Sequence, residues 1–329
     1  MMLKELHTIK LIGNFLRERK YIQDKIDNID SIYDFFCYLK DNQNRFFTLY
    51  IYNYLYEFIS SDDVAKRKTS ARVFEDFLAI LFDGVVADTQ IRKNLSYEVD
   101  DYFVNVKDRI AGNRREKADV VLENNYCFSV KTLIVKNTEI NMGSFEKKVL
   151  FDSLNVDGYL GERKSSNGAG LGSKPQFLKL LELIEVLSSY ENFKNKFNKM
   201  VEFIYSDDLL LVIKNDKKME LYFFGGNEIV EIFKEASRDK NSFLKLVNRY
   251  EGNSLRIDRG ILMQKCNKKI VLDFSFLEST IIKKINEFDY KLHNGYFQYF
   301  SNNSVREEIF LSLGAIFDDF DSNFKELSC

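Results

Sequence analysis

Two histidines, His7 and His293, are too few for a structural zinc site, and none of the four cysteines stands in a CxxC pair. Cys37, Cys127, Cys266 and Cys329 are widely separated, so reduced thiols in a cytoplasmic protein are the expectation. The chain opens without a continuous apolar segment of the secretory kind, and no apolar run approaches membrane-spanning length. Net charge is also missing: 48 basic residues stand against 50 acidic ones, a formal balance of −2. No global positive field draws the chain to a polyanion, so a nucleic-acid site must be a local basic patch. Tryptophan is absent and proline occurs once, as Pro175, where a helix begins. What is abundant is phenylalanine (30) and tyrosine (18), within a hydrophobic share of 45% that suits a globular core in a chain of 329 residues.

The segment from Lys117 to Lys131 reads as two short strands joined at Asn124-Asn125. Side chains alternate along a strand, so Ser129 and Lys131 share a face and Val130 takes the other. Register decides where Asp119 goes. A two-residue loop sets Asp119 opposite Val130 and Val121 opposite Phe128, scattering polar groups over both faces. A three-residue loop, or a bulge, is expected to pair Val120 with Val130 and Leu122 with Phe128. That arrangement gives one apolar face and gathers Asp119, Ser129 and Lys131 on the other. Burial of one face fixes register, which favours the second arrangement, with an asparagine in the left-handed conformation.

An acid, a lysine and a hydroxyl at a strand end can bind a divalent cation and hold a water beside it. Asp119 followed by Ser129-Val130-Lys131 resembles the signature of the PD-(D/E)XK nucleases, an Asp on one core strand and acid-x-Lys on the next. Asp119 matches the Asp and Lys131 the Lys; Ala118 stands where a Pro is common, and Ser129 where an acid is usual. The helix Val73 to Phe82, with Phe74, Phe77, Leu78 and Leu81 on one side, resembles the first core helix of that family. The resemblance implies that its Glu75 reaches the metal, directly or through water; read bare, Glu75 is a solvated helical charge, and Asp76 faces outward. A subgroup of type II restriction endonucleases carries Ser-x-Lys with the acid moved to the following helix. Glu146, and behind it Glu139, stand where such an acid could come from, the bland alternative being a helix charge paired with neighbouring lysines.

The resemblance covers roughly residues 70 to 214 and implies a restriction-endonuclease-like α/β core, a mixed central sheet flanked by helices. An N-terminal helical region (1–68) precedes the core (69–225), and a C-terminal α/β extension (226–329) follows; the alternative is that all three form one compact domain. In order, the pattern predicts helices within Leu3 to Leu16, Ile32 to Leu39 and Phe46 to Ile59, then strands at Ser96 to Lys107, Asp119 to Leu122 and Tyr126 to Leu133. A helix over Asn141 to Asn155 carrying Glu146 follows, then a long helix from Phe177 to Phe203 and a buried strand at Leu209 to Ile213. Beyond it come Met219 to Phe224, a helix near Glu228 to Ala236, and strands near Leu255 to Ile257, Ile261 to Cys266 and Ile270 to Phe276.

Two basic loops are candidates for DNA contact. One spans Lys107 to Lys117 with Arg114 and Arg115; the other, Gly161 to Lys174, carries Arg163, Lys164, Ser165, Asn167 and Lys174 among glycines that let backbone approach phosphates. The second also reads as plain surface loop, and it is not a phosphate-binding P-loop, since Gly-Lys-Ser/Thr is missing. The resemblance implies a Mg²⁺-dependent type II restriction endonuclease cutting double-stranded DNA. Asp119, Glu75, Glu146 and the Val130 carbonyl would hold the metal, and Lys131 would attend the attacking water. It further implies a homodimer and a companion DNA methyltransferase encoded nearby. A repair or junction-resolving nuclease, or a non-catalytic DNA-binding protein on a decayed nuclease fold, are the competing readings.

Overall fold

The structure is a computed structural model describing residues 25–41, 74–75, 78–79, 81–82, 84–86, 118–122, 124–142, 145, 147–162, 173–205, 207–214, 218–251, 254–273 and 311. The helices expected within Leu3 to Leu16 and Phe46 to Ile59, the strand expected at Ser96 to Lys107, both basic loops except Gly161, Glu162, Ser173 and Lys174, and Glu146 lie outside them. The chain is mixed α/β, with helices around its sheets. No helix among the described residues is long and apolar enough to cross a membrane. Two compact units divide the chain: residues 1–132, 210–221 and 270–329 form the first, and 133–209 with 222–269 the second.

In the first unit, helix α1 (Ile29–Asp41) buries Ile29, Ile32, Phe36 and Leu39, spaced three, four and three apart as one helical stripe. Its start is fixed reciprocally: Ser31 N–H donates to Asn28 Oδ1 (2.8 Å), and Asn28 N–H donates to Ser31 Oγ (3.1 Å). Residues 74–75, 78–79 and 81 are helical, and Phe74, Leu78 and Leu81 are buried, as the periodicity predicts, with Ala79 buried beside them. A ladder of rings joins this helix to its neighbours: Phe35 meets Phe82 at 5.1 Å, and Phe82 meets Phe128 at 6.5 Å.

Strands β1 (Gly84–Val86), β2 (Val120–Leu122), β3 (Cys127–Ile134), β5 (Asp208–Lys214), β6 (Lys218–Phe224) and β9 (Lys268–Asp273) form a six-stranded sheet in the order β1-β2-β3-β5-β6-β9. In β5 every residue from Leu209 to Lys214 is buried, the signature of a strand covered on both faces. Strand β1 follows directly on the helix of Phe74. It lies so close to β2 that a Cβ on Gly84 would press on the Val121 carbonyl oxygen and Leu122.

The second unit contains a three-stranded antiparallel sheet, β4 (Glu139–Met142), β8 (Ser254–Asp258) and β7 (Val247–Glu251), in that order. Helices α2 (Lys147–Leu150), α3 (Asp157–Glu162), α4 (Lys174–Leu187), α5 (Tyr190–Ile204), α6 (Gly226–Ala236), α7 (Lys240–Leu246) and α8 (Arg259–Gln264) belong to the same unit. Phe145, Phe151, Phe193, Phe197, Phe233 and Phe243 interlock at ring separations of 4.9 to 6.3 Å to form its core.

Three expectations are corrected here. The long helix from Phe177 to Phe203 is two helices, because the chain breaks at Ser188 and Ser189 accepts from Asn192 N–H as the cap of α5. Ile261 to Cys266 is not a strand: Asp258 accepts from Ile261 N–H and starts helix α8. Asn141 and Met142 end β4, so the helix expected from Asn141 is confined, among the described residues, to Lys147–Leu150.

Candidate functional site

Asn125 adopts φ 67°, and its N–H donates to the Leu122 carbonyl (3.0 Å) while Leu122 N–H donates to the Tyr126 carbonyl (2.8 Å). The hairpin loop is therefore three residues with a left-handed third position, the geometry that asparagine accepts at low cost. Asn124 braces it twice, accepting from Tyr126 N–H (3.0 Å) and donating to the Ile26 carbonyl (2.7 Å). The pairing differs from expectation by two residues: Val120 faces Phe128 and Val121 faces Cys127. A shift of two preserves the faces. Val120, Leu122, Phe128 and Val130 share one apolar, buried side, while Asp119, Ser129 and Lys131 fall together on the other, beside the buried Val121.

Strand β2 begins just after Asp119, and the side chain of Asp119 continues the ladder where backbone pairing stops. Its Oδ2 accepts from Val130 N–H at 2.8 Å, and the Lys131 ammonium lies 3.8 Å from the same oxygen. Both side chains keep a path to water, at 27% exposure for Asp119 and 35% for Lys131. Among the described residues, none donates a hydrogen bond to Asp119 Oδ1. Ser129 is half-buried beside them. The next residue of β3, Thr132, points to the opposite face with its Oγ1 buried and without a hydrogen-bond partner.

The remaining sequence candidates separate. Glu75 is half-buried on the helix that packs, through Phe82, on the Phe128 side of the hairpin. Glu139 is held by Arg249, which donates to its Oε2 from Nε (3.1 Å) and Nη2 (2.9 Å), so it is a structural ion pair. Lys174, exposed at the start of α4, donates to Asn248 Oδ1 at 3.4 Å. Glu146, Arg114, Arg115, Arg163, Lys164, Ser165 and Asn167 lie outside the described residues.

The donor chemistry at the hairpin suits a hard cation in part. Asp119 offers a carboxylate oxygen, and in a strand the carbonyl of Val130 faces the same neighbour as its N–H, towards Asp119. Among the described residues, no group of three or more His, Cys, Asp or Glu side chains is placed to hold a metal ion. Sequence reading missed Lys214, a buried lysine at the end of β5 whose ammonium sits 5.0 Å from the Phe74 ring centre. The only signal for it was a charge closing an otherwise apolar run. No family model matches the chain, nor does any curated protein or solved structure.

Proposed function

We propose that this protein is a Mg²⁺-dependent endonuclease acting on double-stranded DNA, of the type II restriction kind, built on a restriction-endonuclease-like core. The observation that carries the reading is the meeting of Asp119 and Lys131 at 3.8 Å on neighbouring strands, with Val130 N–H fixing the carboxylate between them. The strand order β1-β2-β3-β5, preceded by the helix of Phe74 and Glu75, is a second support. Asp119 and the Val130 carbonyl would hold the metal, joined by Glu75 or Glu146. A bound Mg²⁺ would stabilise negative charge on the scissile phosphate. Lys131 orients the attacking water and helps deprotonate it, or offsets charge on the phosphorus oxygens in the transition state. Ser129 offers a hydroxyl to the same water. Homodimerisation and a companion methyltransferase belong to this reading by analogy alone.

Duplex plasmid DNA incubated with Mg²⁺ tests it directly. Lys131→Ala should abolish cutting and leave DNA affinity nearly unchanged, because one ammonium acts in the transition state while affinity is spread over many phosphate contacts. Cutting by Lys131→Ala at the wild-type rate would make the lysine structural and remove the site. The contrary reading, a non-catalytic DNA-binding protein, is favoured by one observation. Asp119 Oδ2 takes the place of a ladder acceptor, a job that needs no metal. Binding without cutting under every divalent cation would select it.

A further inference from the structure

In the three-stranded sheet of the second unit, Ile140, Met142, Tyr250, Leu255 and Ile257 are buried, and the residues that alternate with them form a polar face. At the centre of that face, the register sets Arg256 of β8 between Asn141 of β4 and Arg249 of β7. Like charges opposite one another across a ladder repel. Two acids offset this: Glu251 Oε2 accepts from Arg256 Nε (3.1 Å) and lies 3.3 Å from Arg249 Nη1, while Glu139 Oε2 accepts from Arg249 Nε and Nη2. Arg256 is thus held at Nε alone. Among the described residues, no acceptor meets its Nη1 or Nη2, although the side chain is only 28% exposed. The amide of Asn141, exposed directly across from it, is likewise without a partner among them. A guanidinium pinned at Nε keeps its two terminal nitrogens as a fixed fork, a shape that pairs with two oxygens of a phosphate. The charges of Arg249, Arg256, Glu139 and Glu251 cancel, so the fork acts on contact and adds little long-range attraction.

We propose that Arg256, with Asn141 beside it, is a contact site for a backbone phosphate of duplex DNA. The choice of DNA as the source of the phosphate rests on the nuclease reading above. Its test is binding of the full-length chain to a short DNA duplex without Mg²⁺, with association and dissociation rates measured separately. Arg256→Lys keeps the charge and loses the fork. It should leave association unchanged and speed dissociation about tenfold, the scale of one charge-assisted hydrogen-bonded pair. Arg256→Gln should speed dissociation at least as much. Asn141→Ala, at an exposed position outside the ion pairs, should speed it about threefold and leave the melting temperature unchanged. Wild-type dissociation in either Arg256 variant overturns the inference, as does a loss of affinity carried by slower association alone. If such a variant and the wild type still cut plasmid with Mg²⁺, the nuclease reading stands without this site. A chain that holds DNA through Arg256 yet never cuts keeps the site and loses the nuclease reading. A wild-type chain that binds no duplex DNA, with or without Mg²⁺, loses both.

Discussion

Taking an ammonium out of water costs free energy, and the lowered pKa of Lys214 shows that its surroundings, the Phe74 ring among them, do not fully offset that cost in the native state. With its pKa at about 8 when folded and 10.5 when free, Lys214 is charged in both states below pH 8, and the cost is fully present. From about pH 8 to 10.5 the folded chain sheds the proton while the unfolded chain keeps it, so this group's contribution to stability rises with pH. The full difference corresponds to roughly 3.5 kcal/mol at about 1.4 kcal/mol per pH unit. Buried Tyr190 and Tyr205, both raised by desolvation, favour the unfolded state as their phenols ionise at higher pH, so a direct pH series mixes opposite trends. Comparison with Lys214→Met removes them. The variant should be the more stable chain at pH 7 by urea unfolding, and the gap should narrow by about 2 kcal/mol at pH 9.5. A gap that does not change with pH would mean that Lys214 stays protonated throughout.

At the level of elements, β1 depends on a single missing side chain. Gly84→Ala places a methyl against the Val121 carbonyl and Leu122, backbone and core that cannot swing aside, so the β1–β2 pairing must open. A loss of about 1–3 kcal/mol is expected by chemical denaturation, with faster amide exchange at Val85 and Val121. Unchanged exchange there would show that β1 accommodates the methyl. The same strand shows why the sequence was legible only in part. Helix α1, the helix of Phe74 and strand β5 declare themselves through periodicity or an unbroken apolar run, each long enough to be read. Three residues, Gly84 to Val86, carry no period. The hairpin was legible as a hairpin, and its faces follow from parity, but the pairing is set by loop closure at Asn125 rather than by which apolar residues match. Ile261 to Cys266 is short and apolar, where helix and strand look alike; the cap at Asp258 decides. In the candidate site, Asp119 and Lys131 were legible because hairpin parity brings them together. Lys214 was not, because its neighbour Phe74 lies 140 positions away in the sequence.

Over the whole molecule, charge is nearly balanced, and in the second unit many lysines are spent on acids. Lys194 pairs with Glu191, Lys196 with Asp152, Lys234 with Glu202 and Glu231, Lys240 with Glu185, and Lys265 with Glu235. Exposed pairs of this kind add little stability, but they leave little net field for a polyanion. If DNA is the substrate, attraction must concentrate in the basic loops. Replacing Arg163 and Lys164 with Ala should therefore weaken DNA binding and make its dependence on log salt shallower by about 2, roughly 0.9 per lost phosphate contact. Unchanged affinity and slope would return that loop to ordinary surface. The division of the chain has a consequence for its synthesis. The first unit gathers residues 1–132, 210–221 and 270–329, so its sheet lacks β9 until the ribosome has delivered residue 273. At roughly 5–20 residues per second, more than a hundred residues separate emergence of the Asp119–Lys131 hairpin from that of the last strand, an interval of about 7 to 30 seconds. Until then β6 stands at an open edge of the sheet, so the sheet of the first unit closes only after the residues of the second unit have been made.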